Sequence, residues 1–149
     1  MGSQSDYSVM KDCEKILRIL KIKHQVSIVS AHRTPKRMFE FAESAAKNGF
    51  AVIIAGAGGA AHLPGMVASL ATVPVIGVPI ESKKLKGLDS LLSIVQMPKG
   101  CPTATMAING AFNAGLHAAS IIGTFDLKVR SNLEKWKRLQ TISVKKKIK

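Results

Sequence analysis

Val52-Ile53-Ile54-Ala55-Gly56-Ala57-Gly58-Gly59-Ala60-Ala61-His62-Leu63-Pro64-Gly65-Met66 decides how this chain is read. The stretch begins as a short apolar run of the kind buried in a parallel sheet. It then loses its side chains: from Ala55 to Ala61 nothing exceeds a methyl group. Such a segment gives a strand that ends in a bare floor, where a ligand can approach the backbone closely. One imidazole, His62, stands at the far edge. A tight strand-to-helix turn packed with small residues gives the same pattern, so the rest of the chain has to decide.

On either side, apolar strand-like runs alternate with helical periodicity. Ahead of the central strand, set at residues 51–55, Val9, Met10, Cys13, Ile16, Leu17 and Leu20 recur at helical spacing after a Met1–Asp6 loop, with Ser5 or Asp6 as the cap. Val26-Ser27-Ile28-Val29 is strand-like and runs into Ser30-Ala31-His32-Arg33-Thr34-Pro35, where Thr34 suits a cap and Pro35 a first helical position. Beyond the glycines come a short helix from His62 to Leu70, a buried strand over 73–79 and a polar lysine-rich loop over 82–86. A helix follows to Met97, then a turn at 98–102, a last strand over 103–108 and a small-residue helix over 110–122. An amphipathic helix over 126–140 closes the chain. The small faces of the 110–122 helix point to a subunit contact. Alternating strands and helices predict a parallel sheet covered on both faces, with ligands at the carboxyl ends of the strands. The loops at 2–6, 30–35 and 56–65 all lie where strands feed helices, so they converge.

The bulk numbers fit one domain. The chain has 149 residues, 46% hydrophobic and 21% charged. No apolar run spans a bilayer, and no basic-then-apolar leader follows Met1. Cys13 and Cys101 lack metal-type spacing, which predicts a reduced, cytoplasmic protein. Of the net charge of +13, residues 126–149 hold +7. Without aromatic residues among the last lysines, this tail reads as a solvated end rather than a nucleic-acid arm. A basic surface also draws in an anionic small substrate.

The three loops hold Ser3, Ser5, Asp6, Ser30, His32, Arg33, the glycine floor and His62. Arg33 can grip a phosphate in a fork of N–H donors, with Ser3 and backbone amides on the other oxygens. Asp6 can accept from ribose hydroxyls, and His32 can exchange a proton near neutral pH. The combination describes a sugar-phosphate site with one or two acid/base groups. His24 and His117 are read as structural or exposed. There is no HExxH pattern, no G-x-S-x-G elbow, no Walker lysine motif and no G-x-G-x-x-G opening a chain-start βαβ unit. Metal, serine-hydrolase, nucleoside-triphosphate and dinucleotide sites are therefore disfavoured.

Four stretches carry a resemblance: Met1-Gly2-Ser3-Gln4-Ser5-Asp6, Ser30 to Pro35, Ala55 to Met66, and Asp89-Ser90-Leu91-Leu92-Ser93-Ile94-Val95-Gln96-Met97-Pro98. In this order they strongly resemble class I N5-carboxyaminoimidazole ribonucleotide mutase of purine synthesis, from residue 1 to about residue 140. The resemblance implies a flavodoxin-like three-layer α/β/α fold, one domain over 1–140 and a basic tail over 141–149. It implies a homo-octamer with sites at subunit contacts. The implied reaction moves a carboxylate from the exocyclic nitrogen of the imidazole to its ring carbon, without metal or cofactor. His32 and His62 are the implied catalytic residues, His32 carrying the proton. Ser3, Asp6, Ser30, Arg33, Gly56, Ala57, Gly58, Gly59 and Leu63 are the implied substrate-binding residues. Members of that family carry a short apolar strand just ahead of Met-Gly-Ser. The expectation is therefore a sheet without that middle strand, in a chain whose natural start lies upstream. The region of residues 108–110 is slightly shorter than usual. Two other readings stay open: direct carboxylation of aminoimidazole ribonucleotide with CO2 (class II), and a truncated, inactive form that binds phosphate ligands or RNA.

Overall fold

The computed structural model describes residues 1–146. Three parallel strands form the sheet in the order β1 (Ile53–Gly58), β2 (Val75–Ile80) and β3 (Ala104–Thr105). β1 and β2 run in register from Ile53 beside Val75 to Gly58 beside Ile80. Period-two alternation then assigns the two faces. Ile53, Ala55, Ala57 and Val75 point into one apolar core with Met38, Leu63, Val67 and Ile94. These come from α2 (Pro35–Ser44), α3 (Leu63–Leu70) and α4 (Leu88–Val95). Ile76, Val78 and Ile80 point the other way, against Met10, Cys13 and Leu17 of α1 (Tyr7–Ile19) and Ala111, Ala114 and Ala118 of α5 (Ala111–Ile122). α6 (Leu127–Ser143) covers α1 and α5 through Val129 and Leu133. The result is the expected three-layer α/β/α arrangement, flavodoxin-like, with helices on both sides of a parallel sheet.

Several boundaries differ from the sequence reading. The central strand runs to Gly58, so half of the bare segment is still ladder; a Cβ on Gly56 would lie 2.5 Å from the Met10 sulfur, which explains the small residue there. The small face of α5 lies against α1 of the same chain, where a Cβ on Gly115 would come within 2.4 Å of Ile16 Cγ2. Close packing inside the chain accounts for that face, which was expected at a subunit contact. The predicted 103–108 strand pairs only at Ala104 and Thr105, and α6 runs on to Ser143. Lys147, Ile148 and Lys149 of the expected tail lie outside the described residues.

Val26–Val29 forms no strand of the sheet. It is extended, but its backbone partner is Met1, whose ammonium donates to the Ser27 carbonyl (3.0 Å) and whose carbonyl accepts from the Val29 N–H (2.8 Å). Gly2 N–H donates to the Gly56 carbonyl on the other side, at 3.1 Å. Residues 1 and 2 thus bridge Val26–Val29 to β1 with parallel-type bonding. Below that bridge the two segments part around an apolar slot of ≈ 450 Å³, lined by Val26, Val29, Ile53, Ile54 and Leu17 among others.

Candidate active site

At the carboxyl end of the sheet, the loops after β1 and ahead of α2 meet residues 2–9 around a cavity of ≈ 830 Å³. This position is the one open parallel sheets offer a ligand.

Residues 1–6 are built around Ser3. It caps a single 3-10 turn, Gln4–Asp6, that leads into α1, and Asp6 completes the capping box by accepting the Ser3 N–H at 2.9 Å. Asp6 does occupy the cap position of α1, as one of the two expected residues, but makes no side-chain cap bond there; the capping bonds belong to Ser3 and the 3-10 turn. Ser5 instead donates its hydroxyl to Ser3 Oγ (3.0 Å). Asp6 is buried, and burial raises its carboxyl above the usual aspartate range, opposed by the backbone hydrogen bond from Ser3.

The second loop is tied across its own turn. Thr34 Oγ1 accepts the Ser30 N–H (2.9 Å) and donates to the Ser30 carbonyl (3.1 Å), so this hydroxyl braces the turn and makes no cap bond. Ser30 Oγ accepts from the Arg33 N–H and Nε at 3.3 and 3.4 Å. Arg33 Nη2 reaches across to the Gly2 carbonyl at 3.1 Å, coupling the two loops. A guanidinium has five N–H donors. These side-chain bonds engage two of them at the exposed mouth of the cavity, which leaves donors for an anion.

The third loop is the ledge. Gly59 holds φ +69°, the left-handed region that favours glycine. His62 stands just ahead of α3 without capping it. Its Nδ1 lies 2.8 Å from His32 Nε2, with the rings edge to face at 4.9 Å. The two imidazoles are 30 residues apart in sequence and arrive on separate crossovers. For this hydrogen bond to form, one of the two nitrogens must carry a proton and the other must accept it. A hydrogen bond of this kind gives a path by which a proton can pass between the two rings.

Ser3, Asp6, Ser30, His32, Arg33, Ala57, Gly58, Gly59, His62 and Leu63 all line the cavity; Gly56 lies beneath the wall, its carbonyl holding Gly2 and its Cα against Met10. Two ledge amides are directed inward, Gly59 to Ser90 Oγ (2.8 Å) and His62 to the Ala60 carbonyl (2.9 Å), so neither is a ligand donor. Sequence reasoning missed the wall formed by Glu81, Ser82, Lys83 and Asn109. Asn109 locks it by accepting the Glu81 N–H (2.9 Å) and donating to the Glu81 carboxylate (3.0 Å). The signal was available, because residues 81–83 follow β2 at the same end of the sheet.

His24 binds the Ile22 carbonyl through Nδ1 at 2.9 Å, and His117 is exposed on α5; neither borders this cavity. Cys13 is buried under the sheet, which pushes its thiol up to about 12 and removes it as a nucleophile.

Comparison with known proteins places these features in a family. The family model described as AIR carboxylase matches residues 1–142. The N5-carboxyaminoimidazole ribonucleotide mutase of Escherichia coli strain K12 is 55% identical over 146 residues, covering 97% of this chain and 86% of the relative. The mutase of Thermotoga maritima is 58% identical over 142 residues, covering 93% of this chain and 83% of the relative. Among solved structures, the crystal structure of Treponema denticola PurE superposes with a TM-score of 0.85 at 25% identity, over 95% of this chain and 88% of that one. With a family match over residues 1–142, relatives more than half identical and a shared fold, this chain belongs to the AIR carboxylase family.

Proposed function

We propose that the cavity above the β1 ledge is the active site of a mutase that converts N5-carboxyaminoimidazole ribonucleotide to 4-carboxyaminoimidazole ribonucleotide. The mutase activity in purine biosynthesis follows from relatives about 55% identical that carry this name. The assignment of residues rests on one observation above all: two imidazoles in hydrogen-bond contact stand over a strand end that has no large side chain.

The chemistry follows from that arrangement. Arg33 and the Ser3 turn hold the ribose phosphate, and Asp6 holds the ribose. Ser30 keeps Arg33 in place. Ala57, Gly58, Gly59 and Leu63 leave a flat recess for the imidazole and the migrating carboxylate, and Gly56 lets the ledge sit low on Met10. The C–N bond to the carboxylate breaks, CO2 is released into the recess, and the nitrogen takes up a proton. The ring carbon then attacks CO2 and loses its proton. One proton is delivered and one removed, so a single imidazole can serve both steps. His32 is that imidazole, and His62 relays to it. Exclusion of water keeps CO2 in place.

Residues 1–140 form the single catalytic domain, with a basic tail over 141–149, in a cytoplasmic homo-octamer. Exposed Leu85, Leu88, Leu92 and Val95 around α4 supply an apolar face for such assembly. Neither metal nor cofactor enters the reaction. Direct carboxylation of aminoimidazole ribonucleotide is the less favoured reading, and supplying each substrate with and without bicarbonate separates the two.

The assignment is tested with His32→Asn. Turnover is expected to fall at least about 10³-fold, in keeping with loss of a general acid/base, while the ribotide still binds. Near-normal turnover refutes the assignment.

A further inference from the structure

The Asp89–Pro98 stretch helps to mark the family, yet the reaction above gives it no task. Ser90, in the first turn of α4, is fully buried. Its surroundings follow from the ladder between β1 and β2. Ile53 N–H donates to the Pro74 carbonyl at 3.0 Å, and Ile53 pairs with Val75. Advancing by two residues, the rung beyond Gly58 and Ile80 would join the Gly59 N–H to the Ile80 carbonyl. A hydroxyl stands between them instead. Gly59 N–H donates to Ser90 Oγ at 2.8 Å, and that Oγ donates to the Ile80 carbonyl at 2.6 Å. Where a direct rung spans about 2.9 Å, two bonds in series hold the strands.

We infer that Ser90 is a positioning residue for the reaction: its hydroxyl spreads the carboxyl ends of β1 and β2 and sets where the Gly59 ledge lies beneath His32 and His62. This rests on the reading of the ledge as the active site. Neighbouring bonds make the wedge rigid. Asp89 Oδ1 accepts the Ser90 N–H (2.9 Å) and the Ser82 hydroxyl (2.8 Å), fixing the loop after β2. Ser93 Oγ donates to the Asp89 carbonyl at 2.7 Å, bracing the same turn. Only Ala60 and Ala61 separate Gly59 from His62, so a ledge that moves carries the second imidazole with it. Arg33 and Ser3 hang on other loops and stay where they are.

The test is Ser90→Ala, read as a split between kcat and KM in the full-length protein. Without the hydroxyl, Gly59 either closes onto Ile80 or loses its partner, and both shift the ledge. Misplacement of reacting groups by about 1 Å costs on the order of 100-fold. Turnover by the folded enzyme is therefore expected to fall by about that factor, with KM for the ribotide held within about threefold because the phosphate grip is intact. Ser90→Cys, which keeps a weak acceptor and donor at the same place, is expected to fall between. Wild-type kcat in Ser90→Ala overturns the inference, as does a rise in KM with kcat unchanged. Failure of both variants to fold also overturns it, by making Ser90 a purely structural residue. The underlying site reading fails separately, through retained turnover in His32→Asn.

Discussion

Arg33 offers the sharpest functional perturbation because its side chain is exposed and its partners are few. Its guanidinium touches the Gly2 carbonyl and Ser30 Oγ, and among the described residues no carboxylate pairs with it. Truncation to alanine should therefore leave the fold intact, with a stability change inside about 0.5 kcal/mol, as for a surface position. The functional cost is larger. A guanidinium that grips a phosphate in a fork makes two charge-assisted hydrogen bonds, each worth about 1.5–3 kcal/mol. The exposed mouth of the cavity puts each at the low end, so the pair contributes about 3 kcal/mol. At 1.4 kcal/mol per decade that is on the order of 100-fold in affinity. Arg33→Ala should raise KM for the ribotide by about that factor and change kcat far less, since a remote anchor binds ground state and transition state alike. Arg33→Lys keeps the charge and loses the fork, so it should recover about half of the loss on a logarithmic scale. Steady-state kinetics, together with titration of the ribotide into the inactive His32→Asn protein with and without the Arg33 change, measures both. A KM within twofold of wild type in Arg33→Ala removes the residue from the phosphate site.

Other residues give independent checks. Burial raises the Asp6 carboxyl in the folded state, so the native protein binds more protons than the unfolded chain above the ordinary aspartate range. Stability tied to this group is present at low pH and lost as pH rises through the folded value. Asp6→Asn should accordingly gain stability relative to wild type as pH rises from 4, then level off, while ribotide binding weakens; urea midpoints across pH that diverge the other way contradict this. Gly115→Ala places a methyl 2.4 Å from Ile16 Cγ2 and 3.3 Å from the Cys13 carbonyl. Overpacking of about 1–3 kcal/mol outweighs about 1 kcal/mol of helix propensity, so net destabilisation near 1 kcal/mol is expected. A variant as stable as wild type means that α1 and α5 can part more easily than their packing suggests.

The sequence revealed the layers and the site more readily than the edges of the sheet, for a physical reason. Hydrophobic periodicity reports which face of a segment is buried, and so it located β2, α1, α2 and α5 closely. It does not report whether a partner backbone lies alongside. Val26–Val29 has the composition of a strand, and Val29 packs into the core beside β1, yet its backbone is linked to the sheet through Met1 and Gly2 rather than by a ladder of its own. Conversely, Gly56-Ala57-Gly58 has poor strand composition and is ladder throughout, because β2 supplies its partners and Met10 leaves no room for a larger residue. Residue chemistry at strand ends marked His32, Arg33 and His62, but spacing gave no hint that the imidazoles would bond to each other at 2.8 Å; a contact across two crossovers depends on loop geometry. Ser90 carries no local signal: in Asp89-Ser90-Leu91-Leu92 a serine fits the first turn of any helix, and its hydroxyl acquires meaning only when the ladder register shows which rung it has replaced. The fold's apolar pattern is written locally. The imidazole contact and the interrupted rung arise between segments distant in sequence, where no local pattern records them.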